Sequence, residues 1–295
     1  MKKFYYDLLS LITVFDCFIF ATVIIVVLFK TPQHMRIFSY SLLNVLTWGL
    51  LGNICQTVIV QPNFVKATAC IESLGLLSTY PSQAVFLAHV VSKMCHVHVF
   101  IGLCLSCLLQ GFQISVKSIY LKKFRIFLFW LLSHGIVQAS ATLLTFIAQP
   151  GTLTQFGVLS SNFANTVVCF SSSVSVIFVF FFAFTCVILL VTALVIVLTI
   201  LKLRGHKDAM TDHNYCCHKN LQIYLIVFVL IPVVFITLPS VVNIFTNRLI
   251  FHDLSRLNGA TSLTVFHNPL MGLVTLTLVK PYRQALYSFV KRLIK

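Results

Sequence analysis

Acidic side chains are scarce in this 295-residue chain: six Asp and Glu stand against 21 Lys and Arg, and charged residues together make up only 9%. A water-soluble domain carries about 25% charged residues, so the composition excludes one. Pairs of intramembrane carboxylates are missing, as are a phosphate-cradling glycine loop, HExxH and GxSxG, so nothing points to an enzyme. No metal or cofactor is expected, because the nearest thing to a ligand cluster, His213, Cys216, Cys217 and His218, follows no standard zinc spacing. There is no Asn-x-Ser/Thr sequon to mark an external face by glycosylation. Internal repeats and low-complexity segments are also missing.

What the chain has is apolar residues, 59% of the total, with a mean hydropathy of +0.98. A hydrocarbon core about 30 Å thick takes about 20 apolar helical residues, since backbone polar groups in lipid must be satisfied within the segment. Seven stretches qualify, near residues 8–29, 38–61, 84–112, 124–147, 174–201, 221–246 and 259–279. Continuous runs of this length do not resemble the alternating segments of an outer-membrane barrel. The expected fold is an all-α integral membrane protein, a GPCR-like bundle of seven transmembrane helices with its lipid bilayer as solvent. The run near 8–29 is longer than a signal-peptide core and reads as a retained span.

The net charge of +15 sits in short loops beside the spans, which makes it a topology signal and argues against nucleic acid as a partner. Fifteen of the cations fall on one side: Lys30, Arg36, Lys117, Lys122, Lys123, Arg125, Lys202, Arg204, Lys207, Lys219 and five from Lys280 onward. Five fall on the other side, and Lys93 lies within a span. The excess places the N-terminus outside and the C-terminus inside. The segment from Lys202 to Asn220 reads as a solvated inner loop. Residues 280–295 form a basic tail in which Tyr282, Leu286, Phe289, Val290 and Leu293 share one helical arc, the pattern of a short amphipathic helix on the inner leaflet.

Ionisable residues inside a membrane are expensive, and so they mark candidate sites. His89, Lys93 and His96 recur at i, i+4 and i+7 on one face of span three. Asp16, midway along span one, is the obvious candidate partner for Lys93. One reading makes the stripe the lining of a polar cavity open to the outside, with Lys93 or a histidine touching a small ligand. The other makes it a buried network that fixes helix packing. In span six Pro232 and Pro239 lie two turns apart, each removing a backbone hydrogen bond, and are hinge candidates. Most of the ten cysteines are small core residues. Cys70 and Cys169, both in outer loops, are the candidate disulfide pair.

Thr31, Pro32 and Met35, then Leu42, Leu43, Asn44, Trp48 and Pro62, then Gln222, Pro232 and Pro239, then His267 and Lys280, Pro281, Tyr282 and Arg283 form an ordered set. With these the chain resembles nematode serpentine chemoreceptors, closest to class H (Srh) of the Str superfamily. The class usually carries an aspartate where this chain has Asn53 and a glycine where it has Asn268. At the inner end of span three its Phe-Glu-Asn-Arg looks like Phe112, Gln113, Ile114 and Ser115 here. The resemblance implies a G-protein-coupled chemoreceptor in the plasma membrane of sensory neurons. Its partners would be an external small molecule of odorant or pheromone type and a heterotrimeric G protein. His267 joins the candidate cavity residues, and Phe112, Gln113, Lys280, Pro281, Tyr282 and Arg283 are inner-face coupling candidates. The alternative, a multipass transporter or ligand-gated channel subunit, calls for duplicated halves or charged pore rings, and the sequence has neither.

Overall fold

The computed structural model describes residues 2–32, 35–64, 70–115, 131–136, 138–139, 167–169, 172–241 and 263–293. Its elements in chain order are α1 (Lys2–Lys30), α2 (Arg36–Ile54), β1 (Pro62–Phe64), β2 (Cys70–Ser73) and α3 (Ser82–Ser115). A helical stretch at 131–136 (α4) follows, then β3 (Val167–Cys169), α5 (Ser172–Gly205), α6 (Asp212–Pro232), α7 (His267–Leu278) and α8 (Lys280–Leu293). Five helical segments are long and apolar enough to cross a membrane, and a sixth arises if the bent pair at Leu263–Leu278 and Lys280–Ser288 counts as one. Most of the expected span at 124–147 lies outside the described residues, as do Lys117, Lys122, Lys123 and Arg125.

Hydrophobicity alone accounts for the helices, and side-chain size accounts for how they pack. Without a hydrophobic drive between helices in lipid, close packing has to do the work. At Gly102 an added Cβ would lie 2.6 Å from the Val45 side chain, so this glycine lets α3 approach α2. α3 is the most buried span and α5 the least. Along α5, Val187, Leu190, Leu194 and Leu198 are exposed and present an apolar face to lipid. The main core joins Val23, Leu46, Phe100, Leu103, Tyr224, Phe228 and Met271 from five helices. A second cluster, with Val60, Phe86, Met94 and Phe181, packs α3 against α5 toward the sheet.

Two differences from the sequence reading concern the ends of the bundle. At one end, β1, β2 and β3 form an antiparallel sheet in the order β1-β2-β3, where only loops were expected. Strands of three or four residues leave no period to read, and Cys70 of β2 pairs with a residue 99 positions on, Cys169 of β3. In the register of β2 with β3, Cys70 stands opposite Cys169. At the other, basic end, the expected loop from Lys202 to Asn220 is mostly helical: α5 runs to Gly205, a 3-10 turn spans Lys207–Ala209, and α6 starts at Asp212. The side chain of Thr211 caps α6 by accepting the N–H of Asn214 at 3.4 Å, and Asp212 in the first turn suits the helix dipole. Polarity had marked the exit from the bilayer, and the helix continues past it.

Two spans carry irregular turns. α2 continues as a π-helix over Cys55–Val60 and stops at Gln61, whose φ of 45° is left-handed. α6 continues as a π-helix over Val233–Thr237, between the two prolines. The missing N–H of Pro232 displaces the helical ladder, which a wider turn absorbs. α7 and α8 meet at 87°. Val279 leaves the helical region (φ −77°, ψ 109°), and Pro281 falls in the first turn of α8, where its missing N–H is not needed. Tyr282 and Leu286 turn toward the core; the side chains of Phe289, Val290 and Leu293 lie outside the described ones.

Candidate functional site

Asp16 is 1% exposed on α1. Its partner is a pair of amides and not Lys93: Asn53 Nδ2 of α2 donates to Oδ2 at 2.7 Å, and Asn268 Nδ2 of α7 donates to Oδ1 at 2.9 Å. Asn53 Nδ2 also donates to the Val265 carbonyl at 3.0 Å. The carboxyl group therefore ties three helices together. Gly49 makes the arrangement possible, because a Cβ there would collide with the Asn268 amide oxygen. On the sheet side of Asp16 the seam goes on with a hydroxyl contact between Thr13 and Thr57 and with Gln56 Nε2 donating to Thr264 Oγ1 at 2.8 Å.

The stripe on α3 faces inward. His89 is 8% exposed, His96 is 4% exposed, and Lys93 is half-buried between them. His267 of α7, wholly buried, meets His96 with ring centroids 5.5 Å apart at 62°. The Nδ1 of His267 is used by the Thr264 carbonyl. Its Nε2 and both ring nitrogens of His96 have no hydrogen-bond partner among the described residues. Buried polar atoms are satisfied in the great majority of cases, so three orphan nitrogens facing one region are a signal. His96 lies within electrostatic range of Lys93, His89 and His267. The structure thus brings together four of the five expected cavity residues and leaves Asp16 in a separate centre.

A second histidine pair went unread in the sequence. His134 Nδ1 and His98 Nδ1 are 2.7 Å apart. Asn44 Nδ2 donates to His134 Nε2 at 3.2 Å, which puts the ring proton of His134 on Nδ1. That proton is donated to His98 Nδ1, so His98 carries its own proton on Nε2 and donates it to Gln138 Oε1 at 3.3 Å. Trp48 stacks on His98 with centroids 4.3 Å apart. Every role in the chain follows from the amide of Asn44. Asn44 and Trp48 were visible as motif residues, but the partner on α4 was not.

The basic end holds the remaining candidates. Phe112 and Gln113 are exposed, as are Lys280 and Arg283. Tyr282 is fully buried, and its hydroxyl meets Ser39 Oγ at 2.6 Å and Thr31 Oγ1 at 2.9 Å, which pins α8 to the turn between α1 and α2. Burial pushes the phenol of Tyr282 above its usual range, partly offset by these two hydrogen bonds. Two residues before Phe112, the buried Gln110 donates from Nε2 to His218 Nδ1 of α6 at 3.3 Å. Pro232 and Pro239 are both buried and flank the π-turn of α6.

A family model described as serpentine type 7TM GPCR chemoreceptor Srh matches residues 1–292. No curated protein matches the chain.

The Asp16 centre makes a prediction through the asymmetry of buried hydrogen bonds: removing one partner leaves the other unsatisfied, whereas removing both does not. Asn268→Leu is expected to lower the stability of the detergent-solubilised protein by about 1–3 kcal/mol. Asp16→Leu added to it should recover part of that loss. Thermal melting of the two variants beside the parent decides; a double variant less stable than Asn268→Leu alone refutes the assignment.

Proposed function

The chain belongs to the Srh family of serpentine seven-transmembrane chemoreceptors, and from that membership we propose that it detects an external small molecule, of odorant or pheromone type, and signals to a heterotrimeric G protein. Its place is the plasma membrane of a sensory neuron, with the N-terminus and the sheet outside and the basic end inside. The observation that carries the ligand reading is the meeting of His96 and His267, two buried rings with unpartnered nitrogens on helices from opposite halves of the chain. A small molecule carrying hydrogen-bonding groups would satisfy them. A ligand shifts a conformational equilibrium only by binding one state better than the other, and a contact to both α3 and α7 senses their relative position.

The coupling face would be the basic end. Gln113, Lys280 and Arg283 are exposed there, and the Tyr282 contacts hold α8 in place. At the end of α3 the charged members of the family's Phe-Glu-Asn-Arg are replaced by Gln113 and Ser115, and a neutral bond between Gln110 and His218 links α3 to α6 nearby. The π-turn between Pro232 and Pro239 gives α6 a weak point at which to bend. On the outer side, cross-strand partners have Cα atoms about 4.5–5.5 Å apart, inside the range of about 4.4–6.8 Å that a disulfide spans. The register of Cys70 with Cys169 therefore supports a disulfide that closes the sheet.

A heterologous cell expressing the chain with a G-protein reporter tests the function: a small-molecule panel should yield a dose-dependent response, with an N-terminal epitope accessible on intact cells. Ligand-gated current without G-protein activation would sink the proposal. Gln110→Leu removes a neutral hydrogen bond and should raise ligand-independent signalling about two- to tenfold; unchanged basal output at equal surface expression removes the bond from the switch. For the disulfide, alkylation and mass spectrometry of the unreduced protein should find Cys70 and Cys169 protected and linked in one peptide pair.

A further inference from the structure

Among the described residues, the cation of span three has no anion to balance it. The chain holds six Asp and Glu residues. Asp208 and Asp212 sit at the basic end, far along the bundle from Lys93, and Asp7 is exposed in the second turn of α1. Glu72 lies in β2, where Asn63 donates to it at 2.6 Å. Asp16 has both carboxyl oxygens taken by amides, and Asp253 lies outside the described residues. Lys93 therefore faces the bundle interior with no ion pair among the described residues. Its electrostatic neighbours are His89 and His96, which are bases and not acids.

A charge left unpaired in a low dielectric is costly. What Lys93 lacks is a mobile counter-charge, and the side chains around it are suited to hold one. The Lys93 ammonium supplies charge-assisted donation, and a neutral imidazole can turn an N–H toward an acceptor. Both ring nitrogens of His96 are without a partner among the described residues and one of them carries the proton, whereas His267, whose Nδ1 donates to the Thr264 carbonyl, offers only an acceptor at Nε2. A cationic ligand would meet no carboxylate among the described residues here, and a purely apolar one would leave the charge stranded.

We infer that the ligand of this receptor is an organic anion, a carboxylate or its equivalent, whose charged group sits at Lys93 and accepts a hydrogen bond from His96. The inference rests on the chemoreceptor reading above and narrows the ligand class of the same site. Lys93 is thus a specificity determinant as well as a contact. A phospholipid headgroup offers the same chemistry, but it would reach Lys93 only from the lipid side, whereas His89 and His96 on the same face of α3 are buried in the bundle.

The test reads binding directly, apart from any G protein. Purified full-length receptor in phosphatidylcholine nanodiscs at neutral pH is titrated with butanoate, hexanoate and benzoate and with their methyl esters, following the melting temperature. Acids should stabilise and esters should not. Lys93→Met should weaken acid binding about 30-fold or more, with Lys93→Arg retaining most of it. Without ligand, Lys93→Met should melt higher than the parent, because it removes a half-buried charge that has no ion pair among the described residues. A lower melting point would mean an internal partner such as Asp253 and would overturn the inference. So would equal shifts from acids and esters, no shift with any acid, or an acid shift that survives Lys93→Met. Stabilisation by phosphatidylglycerol that Lys93→Met abolishes would assign the site to lipid instead. Loss of G-protein coupling with acid binding intact would refute the function proposed above and leave this inference standing, and activation by neutral molecules would do the reverse.

Discussion

A carboxyl group enclosed by three membrane helices has to be solvated by the protein itself, and Asp16 is solvated by two amides, one from α2 and one from α7. Water cannot supply the missing donors in hydrocarbon, so the positions of Asn53 and Asn268 are constrained by the cost of failing to reach it. That constraint places α7 against α1 and α2. The small residues on this seam, Gly49 against Asn268 and Gly272 against Ile19, let the backbones close to the distance the hydrogen bonds demand. With α7 held there, His267 has little choice of neighbour, and it meets His96 on α3.

The consequence is a separation of charges within one bundle. The acid is fully coordinated and takes no further partner, while the cation on α3 stands apart among histidines. Had Lys93 and Asp16 formed the ion pair that their depth in the membrane suggests, the interior would be neutral and closed. Two asparagines that occupy positions where the resemblance leads one to expect aspartate and glycine prevent this. Asn53 brings no charge of its own, so the carboxyl at the α1–α2–α7 junction comes from α1. Asn268 supplies the second donor, which a glycine could not. Both departures from the family pattern are thereby explained by a single contact.

Hydropathy made the spans legible in the sequence, and the helical period made the inward stripe on α3 legible. Both signals are local, which is why they survive without coordinates. Contacts between helices carry no local signal. The Asp16 amides lie 37 and 252 residues away in sequence, and the His98–His134 pair joins two spans through a 36-residue separation. The nearest charged candidate, Lys93, was a natural partner by depth, but the Asp16 oxygens are taken by Asn53 and Asn268. The sheet was invisible because its strands are three or four residues long. α6 was read as starting too late, because polar residues that leave the bilayer can remain helical when a Thr211 cap satisfies the first turn.

The strength of the links at the basic end sets how much work a ligand would have to do there. A buried ion pair between α3 and α6 costs about 3–5 kcal/mol to break, more than a weakly bound small molecule can supply by its differential affinity. The neutral bond from Gln110 to His218 is worth about 0.5–1.5 kcal/mol, and the π-turn above it lets α6 move without unwinding further. Tyr282 works in the opposite sense: with two hydroxyl partners and no exposure it holds α8 firmly to α1 and α2. The bundle is therefore firmly held where α8 meets α1 and α2, and the link between α3 and α6 at the basic end is weak, while deeper in the core Tyr224 of α6 and Thr275 of α7 share a hydrogen bond at 2.9 Å. If a ligand bridges α3 and α7 as proposed above, the basic end of α6, tied to α3 by a neutral bond and hinged at the π-turn, is the segment that costs least to displace.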